Sequence, residues 1–426
     1  MLKPWYDLCD PEFKAGWKIL LLAFFGIFTS AGVVPIYSFG SYAVLMQSTL
    51  NVTMGEIQRC ITFTLLGGAV GNQSVGWLSA RYGLRSVVLM SLLLLSTLYA
   101  VLAMIPLRTD LLYLFYFLFP VLGCGTLHLC WNQLVGNWFL RHRGMALAII
   151  LSGTGVCSMT LPLVLSVVFH YVSWQSGFYV LCAITLAVFL CSCRWLVVIK
   201  ESAPLTGRNS IGNEGGVEYK QALKMRHFWV LIVALTLSIC SILVMITNLV
   251  PILVGKGLSS SNAAFAYTMF GGSLLCSRLL TGYLVDRIWA PLVAFVALMV
   301  PSIGCFILML DISSYGWLCL AAIFLGVGAG AEYDIASYIV SRYFGLTHYM
   351  KIFGTMMGVI TVCLCVTPVA FGCLLDSSGS YTPIVMIAMG LLALGAVLFL
   401  FLGPYPDNES RLQPLGVMDR LDTPSR

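Results

Sequence analysis

Long apolar segments separated by short polar ones are the dominant pattern along this chain. A helix that crosses a bilayer needs roughly 20 consecutive apolar residues, and twelve segments of about that length occur. We predict spans at residues 18–45, 57–78, 86–106, 111–139, 144–171, 176–198, 228–255, 262–285, 289–311, 315–341, 351–374 and 382–404. The pattern therefore predicts an all-α membrane protein with twelve transmembrane helices, of which the first is retained and not cleaved as a signal peptide.

One hydrophilic segment is longer than the others and divides the spans into six and six. Residues 199–227 are rich in Gly, Ser, Asn and charge, which is typical of a flexible linker. We therefore predict an N-terminal six-helix bundle over residues 1–198, a cytoplasmic linker over 199–227, a C-terminal six-helix bundle over 228–406 and a cytoplasmic tail over 407–426.

The two predicted bundles carry matching short sequences. After the second span, residues 76–81 read GWLSAR, and after the eighth, residues 282–287 read GYLVDR. A Trp138-Phe139 pair before the fifth span is matched by Tyr343-Phe344 before the eleventh, at nearly the same offset. Repeated matches at one offset indicate internal duplication. We therefore expect the bundles to be pseudo-symmetric.

Composition and charge support a membrane protein and set its orientation. Hydrophobic residues make up 59% of the chain and charged residues 9%, which is outside the range of soluble domains. Most of the 23 Lys and Arg residues fall in loops on one side, and such loops are cytoplasmic. We therefore expect cytoplasmic termini in an inner or plasma membrane, and the net charge of +6 reflects topology and not nucleic-acid binding.

A single arginine interrupts the eighth span. The apolar run from Ala263 to Val285 contains no charge other than Arg278. A charge at membrane depth is costly, so it usually faces a protein interior and marks a substrate or ion path. The guanidinium is a planar fork that matches a carboxylate. We expect Arg278 to bind the substrate; the alternative is a permanent salt bridge that only stabilises packing.

Three titratable groups are candidates for proton coupling: Glu332 and Asp334 in the tenth span and His128 in the fourth. Residues two apart point about 200° away from each other on a helix, so only one acid can face a central cavity squarely. An acid that loses and regains an arginine partner as substrate arrives would change its proton affinity. The alternative for His128, and for the acid that faces away, is a hydrogen-bonded packing role.

Other polar and small residues predict cavity contacts and moving surfaces. Tyr37, Asn248 and Tyr338 are candidates for hydrogen bonds to substrate, although polar groups between membrane helices often serve packing. Gly153 and Gly155 in the fifth span, together with three glycines of the tenth, permit close helix contact. We expect helices to slide past one another there. The three glycines are Gly326, Gly328 and Gly330.

The loop after the second span resembles the signature G-x-L-x-D-R-x-G-R of the major facilitator superfamily. Residues 76–85 read GWLSARYGLR, with Ala80 at the position of the aspartate, while the second copy keeps Asp286 beside Arg287. The resemblance implies two six-helix bundles and a gating role for four residues. These residues are Arg81, Arg85, Asp286 and Arg287.

A narrower resemblance is to the monocarboxylate porter and oxalate/formate antiporter branch. Residues 138–146 read WFLRHRGMA, followed by GTG at 153–155, and residues 38–40 read SFG. The resemblance implies that Arg278 engages the substrate carboxylate. Tyr37 stands where these porters carry a substrate-linked lysine.

Two other charged residues of this branch are missing. Leu274 stands where the porters carry an aspartate four residues before the arginine, and the run 354–375 contains no counterpart of the lysine of oxalate antiporters.

Together these features predict a secondary transporter of small organic monocarboxylates that works by proton-coupled symport and alternating access. Symport is favoured over dianion exchange because the C-terminal half buries two acids and one arginine. The alternatives are proton-coupled efflux of a neutral or cationic solute, and a transporter-like nutrient sensor. No clustered metal ligands and no nucleophile elbow occur, so we expect no enzyme, cofactor or metal. The expected partners of a monomeric protein are a small organic anion, protons and the lipid bilayer.

Overall fold

The computed structural model describes residues 11–105, 108–139, 143–196, 217–310, 314–345 and 348–405. Within those ranges the α-helices are α1 (Pro11–Phe28), α2 (Val34–Leu50), α3 (Met54–Tyr82), α4 (Leu84–Met104), α5 (Thr109–Leu122), α6 (His128–Trp138), α7 (Arg143–Tyr171), α8 (Ser176–Trp195), α9 (Tyr219–Ala222), α10 (Arg226–Gly255), α11 (Ser260–Val285), α12 (Ala290–Met309), α13 (Tyr315–Phe344), α14 (Tyr349–Ser378) and α15 (Thr382–Leu400). Most of the predicted linker and the whole predicted tail lie outside the described residues.

Nine of the described helices are long and apolar enough to cross a membrane, namely α4, α7, α8 and α10 to α15. The helix α3 has 29 residues but is more polar, with Glu56 and Arg59 near its start. The pairs α1–α2 and α5–α6 occupy the first and fourth predicted spans, each as two shorter helices. The described helices therefore account for all twelve predicted spans.

The first and fourth spans differ from the prediction because each is broken near its middle. The first break, at residues 29–33, is followed by Pro35 in the first turn of α2. Proline has no N–H to donate and is favoured at a helix start. The second break follows Pro120 and contains a 3₁₀ turn at Cys124–Thr126. Continuous helices over 18–45 and 111–139 are therefore wrong in detail.

The two breaks pack together and satisfy each other's backbone. The hydroxyl of Thr126 accepts a hydrogen bond from the backbone N–H of Ala31 (3.0 Å) and donates to the carbonyl of Gly123 (2.7 Å). The hydroxyl of Ser91 on α4 accepts from the N–H of Gly125 (3.0 Å). Irregular backbone at membrane depth requires such internal partners because lipid offers none. These hydroxyls therefore make the breaks stable.

Among the described helices, three pairs form the main contacts between the two halves of the chain: α2 with α10, α3 with α14, and α7 with α11. A glycine stands at a close approach in each pair. A Cβ on Gly40 would lie 3.3 Å from the carbonyl oxygen of Thr247, and one on Gly271 would lie 2.4 Å from the backbone nitrogen of Met159. The third approach joins Gly55 and Gly372. These contacts bring backbones together where the bundles meet.

The glycines that were predicted to permit close helix contact all make one. Gly155 faces Leu275 of α11 across the bundle boundary, and Gly153 packs against α1 within its own bundle. The three glycines of α13 pack against α11 and α12, which belong to the same bundle. The predicted close contact of the α13 glycines is present and lies within the C-terminal bundle, and sliding of the helices there stays a prediction.

Candidate functional site

Arg278 joins the two bundles from its position on α11. Its Nη1 donates hydrogen bonds to the carbonyl of Leu151 (2.8 Å) and to the hydroxyl of Thr154 (2.9 Å), both on α7 of the N-terminal bundle. Its Nε lies 3.0 Å from Oδ2 of Asp334 on α13 of the C-terminal bundle. The guanidinium therefore contacts a charge in its own bundle and polar atoms in the other.

These contacts do not engage all the N–H groups of the Arg278 guanidinium. Its Nη2 has no hydrogen-bond partner among the described residues. Its Nε is close to Asp334, but the N–H is not aligned with the carboxylate oxygen well enough to form a hydrogen bond. Only 12% of the Arg278 side chain is exposed. The Nε and Nη2 edge therefore keeps unused capacity to donate hydrogen bonds.

The two acids of α13 occupy different environments. The side chain of Asp334 is 30% exposed and forms the ion pair with Arg278. Glu332 is only 6% exposed, and its Oε2 has no hydrogen-bond partner among the described residues. The 200° separation predicted for residues two apart explains this difference. The accessible acid that pairs with the arginine is Asp334.

Tyr37 and His128 stand next to the breaks in the first and fourth spans and are within range of the charge of Arg278. Tyr37 is in the first turn of α2, and His128 is the first residue of α6. The charge of Arg278 acts on both side chains, and Glu332 acts on Tyr37 as well. We use the name central site for five residues: Arg278, Asp334, Glu332, Tyr37 and His128. The structure thus brings together five of the residues singled out in the sequence.

Tyr333 was missed when the sequence alone was considered. It stands between the two acids on α13, and 43% of its surface is exposed. Its hydroxyl interacts electrostatically with Glu332, Tyr37 and Cys240. Tyr37 belongs to the other bundle, so the electrostatic interaction between Tyr333 and Tyr37 crosses the boundary between the bundles. Helix geometry could have indicated Tyr333 as a candidate. Successive residues on an α-helix are about 100° apart, so the residue between Glu332 and Asp334 points between the directions of the two acids.

Asn248 and Tyr338 do not join the central site. The Oδ1 of Asn248 accepts a hydrogen bond from Nε2 of Gln58 on α3 (2.6 Å), and both residues are buried. Tyr338 lies beside Asp286 and Arg342, near the end of α13. Their contacts with substrate stay predictions.

The four predicted gating residues lie at helix ends and are exposed. The guanidinium of Arg81 lies 5.4 Å from the ring centre of Trp77, and that of Arg287 lies 3.5 Å from the ring centre of Tyr283. Arg287 thus stacks on a ring of the helix that precedes it, and Arg81 lies within cation–π range of a ring of its own helix. Asp286 is near Tyr338 of its own bundle, and Arg85 is at the start of α4. Their gating role stays a prediction.

Metal binding has no support in the described part of the chain, where no group of three His, Cys, Asp or Glu residues is arranged to hold a metal ion. The chemistry available at the central site is therefore that of one fixed cation, two carboxyl groups, a phenol and an imidazole. Such a set can bind an anion on the arginine and hold or release a proton on an acid.

Comparison with known proteins agrees with this architecture. Human monocarboxylate transporter 11 is 24% identical over 334 residues, covering 76% of this chain and 69% of that protein. Monocarboxylate transporter 13 of Bos taurus is 22% identical over 402 residues, covering 92% of this chain and 90% of that protein. A crystal structure of a D-xylose-proton symporter superposes with a TM-score of 0.72 at 14% identity, covering 91% of this chain and 98% of the other.

The predicted fold class of twelve helices in two bundles is confirmed by that superposition, and the predicted family by a sequence profile. The proteins matched in these comparisons are membrane transporters. The profile of the Major Facilitator Superfamily matches residues 19–366, which is most of the chain. The protein therefore belongs to the Major Facilitator Superfamily.

Proposed function

We propose that this transporter moves small organic monocarboxylates together with protons. The observation that carries the proposal is the ion pair of Arg278 and Asp334, in which Nη2 of the arginine has no hydrogen-bond partner among the described residues. A fixed guanidinium with an available edge is suited to a carboxylate. The names of the relatives that match most of the chain support the same substrate class.

Proton coupling follows from competition for Arg278. In the described state Asp334 holds the guanidinium at 3.0 Å. A substrate carboxylate that binds the Nε and Nη2 edge takes this partner, and the carboxylate of Asp334 loses the charge that stabilised its ionised form. Asp334 then takes up a proton. When the substrate leaves, Asp334 releases the proton and pairs with Arg278 again.

This exchange of partners explains why symport fits the site better than exchange of dianions. The central site holds one cation, Arg278, and two carboxyl groups, Asp334 and Glu332. A monocarboxylate bound to Arg278 beside a protonated Asp334 leaves the net charge of the pair unchanged. A dianion would bring a second negative charge for which the described site offers no second lysine or arginine. The proposed cycle is therefore electroneutral.

The cycle also requires the site to open to each side of the membrane in turn. We place both chain termini in the cytoplasm because Lys and Arg are concentrated in the loops on that side. The contacts of α3 with α14 and of α2 with α10 then close the outer end of the molecule. The described structure would present the central site to the cytoplasm, and rocking of the two bundles would expose it to the outside.

Uptake by proteoliposomes tests the proposal. The purified protein is reconstituted and offered a panel of radiolabelled monocarboxylates, with and without an inward proton gradient. We expect at least one acid to accumulate only with the gradient, and its neutral amide to be neither transported nor competitive. Accumulation of the amide as fast as the acid, or accumulation independent of the gradient, would contradict the proposal.

A further inference from the structure

The outer end of the molecule, where α2 ends, α3 begins and α14 ends, contains a contact between the bundles that the transport site does not explain. The Oδ2 of Asp376 on α14 accepts a hydrogen bond from the hydroxyl of Thr53 (2.8 Å), and its Oδ1 accepts one from the backbone N–H of Gly55 (3.1 Å). Thr53 and Gly55 belong to the N-terminal bundle, and Asp376 to the C-terminal bundle. One carboxylate therefore spans the boundary with both oxygens.

The donors of both hydrogen bonds lie at the N-terminus of α3, where backbone N–H groups lack partners in the helix and carry partial positive charge. Thr53 and Glu56 already form a capping box within the N-terminal bundle. Asp376 adds a second carboxylate, from the other bundle. It accepts hydrogen bonds from the capping hydroxyl of Thr53 and from the N–H of Gly55, which the capping box does not use. Both hydrogen bonds of Asp376 therefore exist only while the bundles are in contact here.

Two glycines make this approach possible. A Cβ on Gly55 would lie 2.2 Å from Oδ2 of Asp376 and 2.7 Å from the carbonyl oxygen of Gly372. A Cβ on Gly372 would lie 2.9 Å from Cα of Gly55. Neither position has room for a side chain. A second contact between the bundles, from Gln58 to Asn248 (2.6 Å), lies about one turn further along α3.

We infer that Asp376 is the latch of the transport cycle at this end: its carboxylate holds the N-terminus of α3 while the central site is open to the opposite side, and releases it when this end opens. All the hydrogen bonds of this latch cross the boundary, so opening breaks them together. A charge-assisted hydrogen bond changes an equilibrium by about tenfold or more. Loss of the latch should therefore shift the population toward the state that is open at this end.

Hydrogen exchange measured by mass spectrometry on the purified full chain tests the latch without any substrate. Asp376→Asn keeps the shape but removes the charge and one acceptor. We expect the exchange rate to rise about tenfold or more in residues 372–378 and 245–251, which lie in the C-terminal bundle, as well as at the start of α3. Residues 92–99 within α4 serve as the internal reference, and their exchange should not change.

Two matched pairs of variants separate the latch from local effects. Glu56→Gln weakens the capping box within one bundle. In this variant the rate of hydrogen exchange should therefore rise only in the first turn of α3. Gly55→Ala forces α3 away from α14 without altering the carboxylate and should reproduce the effect of Asp376→Asn. Gly68→Ala on the same helix has nothing within 4 Å of the added carbon and should behave as the wild type.

The latch is refuted if Asp376→Asn leaves exchange in residues 245–251 and 372–378 at the wild-type rate, or if its effect is confined to α3 as in Glu56→Gln. An equal rise in the α4 reference would mean general destabilisation and would also refute the inference for this variant. Because no substrate is present, either outcome is independent of whether the protein transports monocarboxylates.

Discussion

Replacement of Arg278 by lysine tests the central site most directly, because it keeps the charge and removes the fork. In the structure Nη1 makes two hydrogen bonds to α7, at 2.8 and 2.9 Å, Nε faces Asp334 at 3.0 Å, and Nη2 has no hydrogen-bond partner among the described residues. A lysine ammonium offers three donors from a single nitrogen and cannot serve α7, Asp334 and a substrate carboxylate together.

The expected loss can be estimated from the contacts. If one charge-assisted hydrogen bond to the substrate is lost, the cost is about 1.5–3 kcal/mol, which corresponds to a decrease of roughly 10-fold to 150-fold in kcat/KM for uptake. Arg194→Lys, at an exposed position near the end of α8, is the matched control and should transport normally. The amount of each variant inserted in the membrane normalises the initial rates.

Two results would contradict the roles assigned to Arg278. If Arg278→Lys transports within about threefold of the wild type, the guanidinium fork does not bind the substrate. Arg278→Gln should be worse than Arg278→Lys in both transport and thermal stability, because it leaves Asp334 without its charged partner. If Arg278→Gln and Arg278→Lys are equally stable, the ion pair with Asp334 contributes nothing to the fold.

Two further predictions follow from the same geometry. Asp334→Asn should abolish accumulation driven by a proton gradient while counterflow of preloaded substrate persists. Glu332→Gln should retain both activities. Loss of accumulation only in Glu332→Gln would show that Glu332, and not Asp334, takes up the proton. Gly271→Ala should reduce turnover several-fold because its added carbon would meet the backbone of α7 at 2.4 Å, whereas Gly272→Ala, with nothing within 4 Å, should transport normally, as measured by initial uptake rates. Equal rates for the two glycine variants would show that the contact between α7 and α11 is not rearranged during transport.

Much of the central site was predictable because membrane burial makes polar residues informative. Arg278 is conspicuous in an apolar run, and helical periodicity alone required that only one of Glu332 and Asp334 face it. Periodicity could not say which, because that depends on how α13 is rotated against α11. Packing of the α13 glycines against α11 fixes this rotation, and it turns Asp334 toward Arg278.

Most long-range partners were not predictable. The sequence led us to expect that Arg278 pairs with an acid of the tenth span, but no sequence pattern indicated that this acid is Asp334 and not Glu332. Likewise Asn248 was expected at the substrate and is bonded to Gln58, 190 residues away in the chain. A polar side chain in a span signals that it needs a partner, and only the fold decides which partner is within reach.

The amino-acid sequence by itself indicated four properties: the membrane environment, the helical class, the duplicated halves and the identity of the charged residues inside the membrane-spanning segments. These properties depend on local hydrophobicity and on the spacing of residues along one helix. The positions of the breaks in the first and fourth spans depend instead on tertiary packing, because a break is stable only where groups such as Thr126 and Ser91 from other segments satisfy the freed backbone. Packing also brought Tyr37 and His128 to Arg278, since contacts between distant segments depend on how the helices are arranged.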